Sequence, residues 1–273
     1  VHEYIKIATS RQVGIRNDMI RRKNMKVVYH EDYNEVYTSD PAAAAGRIRA
    51  VELALKGKVT FVEPKPATKE DILHVHTPEH IKSVEREGVY EIAALAAGGA
   101  IKAAEIGLTE PCFALIRPPG HHASAGSAWG FCYFNNMAIA LEKLKHQGKI
   151  KKAFILDFDL HYGDGNVNIL GKKDYVTIYN PATQNRNEYL KKVEDALAET
   201  KADMITASAG FDNHEADWGG LLKTEDYTFM GRLMCETAQR NHGGCFGVLE
   251  GGYNHSVLGK NVLAFINGLG REQ

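Results

Sequence analysis

The chain has few of the features that mark secreted, membrane-spanning or nucleic-acid-binding proteins. Its 273 residues include only 4 cysteines, which show no CxxC spacing and no dense disulfide pattern. No uninterrupted apolar run reaches about 18 residues, so we expect no membrane span. The 33 Lys and Arg residues nearly balance the 34 Asp and Glu residues. This balance argues against an electrostatic surface for nucleic acid.

Cysteine usage and the N-terminal sequence favour a cytoplasmic protein. At least three of the four cysteines lie in apolar segments, where reduced core thiols are usually found. The N-terminus has no apolar signal core. Residues 1–24 are polar and basic, and we expect an appended leader there rather than a basic interaction arm. Residues 25–273 are predicted to form one domain, and the sequence sets no oligomeric state.

Strand-length apolar runs alternate with helical patterns along residues 25–273. Helices are predicted at 41–56, 89–106, 135–147, 187–200 and 224–241. Strands are predicted at 26–30, 59–62, 112–116, 153–157, 175–179, 203–208 and 245–249. This alternation predicts an α/β fold in which a single-domain, open, mostly parallel sheet carries helices on both faces.

The stretch DFDLHYGDG at 157–165 is the most informative part of the sequence. It follows an apolar run of strand length, and charges at the end of a buried strand are costly unless something pairs with them. On an extended backbone Asp159 and His161 point to the same face and could share one cation such as zinc. The alternative is a turn whose acids only cap the next helix.

Three other predicted strands also run into loops that combine glycine with His, Asp or Tyr. These loops are RPPGHHA at 117–123, AGFDNH at 209–214 and EGGYN at 250–254. Ligands of open parallel sheets bind beyond the carboxyl ends of the strands. We therefore expect the four loops to converge on one site.

The chemistry of these side chains suggests a metal site with groups for proton transfer. Asp159, His161 and Asp212 would give a cation two oxygens and one nitrogen, leaving a position for a water of lowered pKa. The roles of the adjacent imidazoles His121 and His122 stay open, since they could be metal ligands or a proton-transfer pair.

Three more side chains complete the candidate set. Asp157 and Asp164 are carboxylates without an assigned role that could orient the imidazoles. Tyr253, between Gly252 and Asn254, could donate its hydroxyl to an oxyanion. The alternative for Tyr253 is a core phenol in a tight turn.

Together these segments resemble the zinc-dependent histone deacetylase family of the arginase–deacetylase superfamily, including its prokaryotic histone deacetylase-like amidohydrolases. The similarity spans about residues 25–270. The matching segments are RPPGHHA at 117–123, GFCYFNN at 130–136, ILDFDLHYGDGN at 155–166, SAGFDNH at 208–214, GGLLKTEDY at 219–227 and LEGGYN at 249–254.

The resemblance implies the arginase–deacetylase fold and one zinc ion per chain, held by Asp159, His161 and Asp212. Iron(II) could occupy the same ligands. Family members also hold a potassium ion on backbone oxygens around the positions of Asp157, Asp159 and His161, so potassium is expected here as well.

The resemblance also implies roles for the remaining groups. His122 is similar to the general base and acid, oriented by Asp164. His121, paired with Asp157, resembles the companion imidazole that stabilises the transition state. Tyr253 resembles the phenol that polarises the acetamide carbonyl.

The substrate channel departs from the family pattern. Phe131, beside Gly130, resembles one aromatic wall, but the loop at 180–187 lacks the phenylalanine of the opposite wall. Tyr179 or Trp218 could replace it. The acidic loop that usually follows the segment at 74–88 is almost absent. These shortenings predict a shallower and wider approach, suited to small acetamides as well as the acetyl-lysine side chain.

Three other functions are kept open. A polyamine deacetylase often has a glutamate near the position of Trp218, although a tryptophan ring can also hold a cation. A binuclear manganese ureohydrolase of the same superfamily would need two metals. The third alternative is a non-catalytic protein that binds acetyl groups.

Several candidates receive no role in the chemistry. His74, His76 and His80 are predicted to lie in a surface turn before a helix. His214 is expected behind the ligands or on the surface. Cys132 is expected to fill apolar space.

Overall fold

A computed structural model describes residues 24–270 of the chain. The predicted leader, except for its last residue, lies outside the described residues. Within them, seven strands form one sheet. The strands are β1 Lys26–Val28, β2 Thr60–Val62, β3 Cys112–Ala114, β4 Ala153–Asp157, β5 Val176–Tyr179, β6 Met204–Ala209 and β7 Gly244–Leu249. Each predicted strand overlaps one of these.

The sheet is parallel in every pairing, with the order β2-β1-β3-β7-β6-β4-β5. Every residue of β3, β4, β6 and β7 is buried. A central strand can lose all its solvent contact only when both faces of the sheet are covered. The predicted α/β class, with helices on both faces of an open parallel sheet, is therefore confirmed.

Nine α-helices lie within the described range 24–270. They are α1 Arg47–Leu55, α2 Lys69–Leu73, α3 Pro78–Arg86, α4 Tyr90–Gly107, α5 Asn136–His146, α6 Asp164–Leu170, α7 Arg186–Glu199, α8 Thr224–Arg240 and α9 His255–Leu269. Five were predicted, and the predicted cap Asn135 does accept a hydrogen bond from the backbone N–H of Ala138 at 2.8 Å.

The predicted helix at 41–56 is divided in two. A 3-10 turn spans Pro41–Ala43, and α1 begins only after Gly46, whose φ is 82°. That left-handed conformation suits glycine because it has no Cβ. The other differences are omissions, since α2, α3, α6 and α9 were not predicted. Among the described residues, no helix is both long and apolar enough to cross a bilayer.

The strand order explains where the site lies. The four loops singled out above follow β3, β7, β6 and β4, which are the four adjacent central strands of the sheet. Because all strands are parallel, their carboxyl ends share one edge, and ligands of such sheets bind beyond that edge. The fold therefore gathers the four loops beside one another.

Candidate active site

Three side chains from two of these loops form a group that could hold a metal ion. Asp159 and His161 follow β4, and Asp212 follows β6; their candidate ligand atoms all lie within 4.8 Å of one another. His161 Nδ1 is 3.1 Å from Asp159 Oδ1 and 3.0 Å from Asp212 Oδ2. This is the only such group of three or more acids, histidines or cysteines in residues 24–270.

Backbone N–H groups hold the two carboxylates of this group in position. Asp159 Oδ2 accepts a hydrogen bond from the backbone N–H of Gly251 at 2.8 Å, and Asp212 Oδ1 accepts one from Leu160 at 3.0 Å. Asp212 Oδ2 is buried, and although His161 Nδ1 lies 3.0 Å away, no donor in the described structure is aligned to form a hydrogen bond with it. A buried carboxylate oxygen without a donor is costly unless a cation lies against it. The two-oxygen, one-nitrogen set therefore fits a divalent cation.

The pKa values of these three side chains also favour a bound cation. Burial and the charge of Asp159 raise the pKa of Asp212 to about 6. Burial also acts to raise the pKa of Asp159, but the positive charge of His121 and hydrogen bonds from His161 and Gly251 lower it overall. The facing carboxylates of Asp159 and Asp212 raise the pKa of His161 to about 10. Two buried carboxylates thus draw positive charge to this point, which a metal ion would supply.

His121 forms a buried pair with Asp157. Its Nδ1 is 3.3 Å from Asp157 Oδ2, which also accepts a hydrogen bond from Asn166 at 3.0 Å. Burial acts to lower the pKa of His121, but the charges of Asp159 and Asp157 outweigh it and raise the pKa well above its ordinary value. The surrounding carboxylates therefore favour the protonated form of His121, whose ring lies behind the candidate metal ligands with Nε2 3.8 Å from Asp159 Oδ2.

His122 is bonded differently, although it is the next residue. Its Nδ1 is 2.6 Å from Asp164 Oδ1. Burial and the charge of His121 lower the pKa of His122 to about 4, so the ring is neutral near pH 7. Because the carboxylate accepts, Nδ1 carries the proton and Nε2 keeps its lone pair. Trp129, which sequence reasoning missed, lies over the His122 ring with centroids 3.9 Å apart and donates its indole N–H to Asp164 Oδ2 at 2.9 Å.

The structure does not support the alternative of a turn whose acids only cap the next helix. Asp164 is the first residue of α6, but the N-cap Gly163 has no side-chain cap hydrogen bond and the Asp164 carboxylate faces His122 and Trp129. Asp159 belongs to the candidate metal group. The two histidines of the adjacent pair have different partners. His121 and His122 direct Nδ1 at different carboxylates and are not members of the metal group.

Tyr253 lies at the mouth of the site, between two other aromatic rings. Trp218 stacks on it with centroids 4.0 Å apart, and Phe131 approaches edge-on at 6.0 Å. Its backbone N–H and that of Asn254 both donate to Asp217 Oδ2 at 2.8 Å. Burial and the charge of Asp159 raise the pKa of Tyr253, so its hydroxyl stays protonated and able to donate.

The channel candidates Gly130 and Phe131 form a left-handed turn, with φ values of 58° and 66°. A Cβ on Gly130 would collide with Cδ2 of His122, so only glycine lets the chain pass this close to the imidazole. Trp218 is also at the site, with its ring 6.0 Å from that of His161. The structure thus brings all predicted site residues to one edge of the sheet.

Two buried residues behind the site were also missed. Arg47 donates to the backbone oxygens of Gly252 at 2.8 Å and Glu250 at 2.6 Å, and lies 5.5 Å from the Tyr253 ring. Glu250 accepts hydrogen bonds from the backbone N–H groups of Gly120 and His121. Glu250 could have been found, because it is an acid at the end of a buried strand. The sequence gives no comparable signal for Arg47, which lies in an ordinary helix.

Two residues that were given no role in the chemistry are buried. His214 accepts a hydrogen bond from the backbone N–H of Ala216 at 3.1 Å and lies outside the metal group. Cys132 is a free, buried cysteine, and burial raises the pKa of its thiol well above the ordinary value. A thiol in that state is a poor nucleophile.

The prediction of a surface turn at 74–80 is wrong for two of its three histidines. His74 is exposed, whereas His76 and His80 are buried, and His80 lies within α3. His76 Nε2 accepts a hydrogen bond from the backbone N–H of Asn135 at 2.8 Å, and His80 Nε2 is 2.7 Å from the backbone oxygen of Tyr133. Both rings are buried because they satisfy backbone groups of the segment that leads into α5.

Comparison with known proteins gives consistent matches over most of the chain. A model of the histone deacetylase domain matches residues 42–189 and 178–269. A probable deacetylase of Methanothermobacter thermautotrophicus is 30% identical, with 91% of this chain and 92% of that protein covered. A probable deacetylase of Archaeoglobus fulgidus is 32% identical, covering 84% of this chain and 81% of its own.

Two further matches extend the comparison. A histone deacetylase-like amidohydrolase of Pseudomonas aeruginosa is 26% identical, covering 84% of this chain and 78% of its own. The crystal structure of the HDA15 HD domain superposes with a TM-score of 0.76 at 25% identity, covering 91% of this chain and 90% of that one.

Proposed function

Because this chain belongs to the histone deacetylase family, we propose that it is a metal-dependent amidohydrolase that removes the acetyl group from an N-acetylated amine. The observation that supports this most is the arrangement of Asp159, His161 and Asp212. Their ligand atoms converge, one buried carboxylate oxygen has no aligned hydrogen-bond donor, and the neutral His122 and the phenol of Tyr253 lie beside them.

Those three side chains would hold one divalent cation, for which zinc fits the ligand set best and iron(II) second. When bound, the cation would polarise the acetyl carbonyl and lower the pKa of water. A potassium ion on backbone oxygens near Asp157, Asp159 and His161 is proposed from the family resemblance.

The chain's own residues would carry the proton transfers. His122 takes a proton from the attacking water at Nε2, while Asp164 keeps Nδ1 in place. The same proton then passes to the nitrogen of the leaving amine as the C–N bond breaks. His121, held cationic by Asp157 and Asp159, stabilises the negative charge of the transition state. Tyr253 donates its hydroxyl to the carbonyl oxygen. Acetate and a free amine are the products.

The substrate is proposed to be a compact acetylated amine or the acetyl-lysine side chain, with no role for nucleic acid. A shallow approach is part of this proposal, and it is supported by the side chain of His161, which is 38% exposed even though its neighbour Asp159 is buried. Phe131 and Trp218 would line the approach, with Trp218 in place of the second aromatic wall. A cytoplasmic location is part of the same proposal.

The geometry is less suited to a binuclear ureohydrolase. Asp157 is engaged by His121 and Asn166, and the two oxygens of Asp164 receive His122 and Trp129. Asp164 is therefore not available to bridge a second metal in this arrangement, and Asp157, although its Oδ1 has no hydrogen-bond partner among the described residues, is not part of the group that could hold a metal ion.

Metal analysis combined with an activity assay tests the proposal. The purified protein should bind about one zinc or iron ion per chain and hydrolyse members of a panel of acetylated peptides, polyamines and small amines. Asp212→Ala should abolish tight binding and activity, because it removes one of three ligands. Glu215→Ala, which removes an exposed acid from the same loop, should change neither.

Two results would contradict the proposed function. Two manganese ions per chain with turnover of a guanidino substrate would support the ureohydrolase. One bound ion with no hydrolysis of any acetamide would support a non-catalytic acetyl binder.

A further inference from the structure

Trp129 makes two contacts with the same catalytic pair. Its indole N–H donates to Asp164 Oδ2 at 2.9 Å, and its ring lies over that of His122 with centroids 3.9 Å apart and planes at 31°. We propose that Trp129 is a positioning residue that fixes the His122–Asp164 pair for proton transfer. The proposal deepens the function proposed above and rests on it.

The carboxylate of Asp164 needs such a second partner. His122 occupies only Oδ1, and the Asp164 side chain is 33% exposed at the start of α6. A carboxylate bonded through one oxygen can still rotate about its last torsion, whereas two donors on separate oxygens fix its plane. Trp129 supplies the second donor and keeps Oδ1 aimed at His122 Nδ1.

The imidazole of His122 is confined as well. Besides the indole, the ring of His121 lies beside it with centroids 4.0 Å apart, and Gly130 passes so close that a Cβ there would collide with it. With Nδ1 on Asp164, these contacts leave Nε2 as the nitrogen that can exchange protons with a substrate. Small misplacements of a general base are costly because proton transfer requires hydrogen-bond distance.

Trp218 offers a matched control within the same site. It is as exposed as Trp129, at 53% against 55%, and it too stacks on a candidate catalytic ring, that of Tyr253, at 4.0 Å. Its indole N–H, however, donates to no side chain among residues 24–270. The two tryptophans therefore differ mainly in the hydrogen bond to a carboxylate.

Steady-state kinetics of Trp129→Phe and Trp218→Phe test the proposal. Phenylalanine keeps an aromatic ring but removes the N–H donor, and the accompanying loss of ring area is the same in Trp218→Phe. Trp129→Phe should therefore lower kcat about tenfold and leave KM nearly unchanged. Trp218→Phe should act mainly on KM. In an Asp164→Asn background, Trp129→Phe should cause little further loss, because both changes act through one carboxylate. An effect of Trp129→Phe on KM alone, or full additivity with Asp164→Asn, would overturn the proposal.

A second measurement does not depend on turnover. The His122 Nδ1 proton should give a downfield proton NMR signal, assigned by its loss in His122→Ala. Trp129→Phe should shift this signal and speed its exchange with water, whereas Trp218→Phe should do neither. An unchanged signal in Trp129→Phe would refute the positioning role even in an active enzyme. A protein that hydrolyses no acetamide yet shows the shift would instead refute only the proposed function.

Discussion

Residues 24–270 contain two pairs of neighbouring buried histidines, and the two pairs differ in their hydrogen-bond partners and in the shifts of their pKa values. His121 and His122 lie in the candidate active site with ring centroids 4.0 Å apart, while His76 and His80 lie beside α5 with centroids 4.9 Å apart. All four side chains are largely buried. Burial alone therefore does not separate a catalytic imidazole from a structural one.

The hydrogen-bond partners of the rings distinguish the two pairs. In the site pair each Nδ1 faces a carboxylate, whereas the rings of His76 and His80 use Nε2 for backbone groups of the chain before α5. Burial acts to lower the pKa of both His121 and His76. The charges of Asp159 and Asp157 reverse the shift in His121, but in His76 the neighbouring His80 adds to it and the pKa falls to about 3.

The comparison indicates what proton chemistry requires of a buried histidine. A carboxylate on one nitrogen fixes the tautomer and leaves the other nitrogen for the substrate. A backbone N–H on one nitrogen, as in His76, consumes the lone pair that a general base would need. Replacing His122 should therefore reduce turnover with little loss of stability, whereas replacing His76 should reduce stability with a smaller effect on turnover.

Replacement of His122 should have the largest effect on turnover. Loss of a general base typically costs about 10²–10⁴-fold in rate, so His122→Ala should reduce kcat on an acetamide substrate by that amount. The melting temperature and the bound metal should change little, because Asp159, His161 and Asp212 remain. Steady-state kinetics with metal analysis of the same sample would measure this. A loss of less than about tenfold would place the base elsewhere.

Replacement of His76 should instead reduce stability. His76→Ala leaves the buried backbone N–H of Asn135 without an acceptor, which costs about 1–3 kcal/mol. Urea unfolding would show this as a lower midpoint, while turnover per folded molecule should fall far less than in His122→Ala. His74→Ala is the control, since His74 is exposed. Equal stability of His76→Ala and the parent protein would contradict a structural role.

The sheet was predictable from sequence because its strands are continuous apolar runs. Residues 153–157 give the clearest case, where prediction and structure agree at both ends. Helices were harder, since α3 begins within a polar segment and its apolar face is formed by only a few residues, among them Ile81 and Val84. Such a short stripe becomes visible only when the core against which it packs is known.

The residues of the candidate site also divide into those that the sequence could predict and those that it could not. Asp159, His161 and Asp212 could be grouped because acids and histidines beside glycine follow strands whose carboxyl ends must meet. Trp129 could not, because its role depends on an indole N–H reaching a carboxylate 35 positions away in the sequence. The partners of His76 and His80 are backbone atoms, for which residue identity carries no signal.

The smallest predicted effect is on the pH dependence of stability, which tests the lowered pKa of His76. The pKa of His76 is lowered in the folded protein to about 3 by burial and by His80, from an ordinary value of 6.5. Above pH 6.5 the ring is neutral in both states, so stability is fully retained. As pH falls from 6.5 towards 3, the unfolded chain binds a proton that the folded protein excludes, and stability falls by up to about 1.4 kcal/mol per pH unit.

His76→Gln can still accept a hydrogen bond from Asn135 but cannot titrate, so its urea midpoint should fall less than that of the parent between pH 6.5 and 5. Parallel curves for the two proteins would show that His76 takes up its proton equally in both states, and the contrast between the two histidine pairs would then rest on their hydrogen bonds alone.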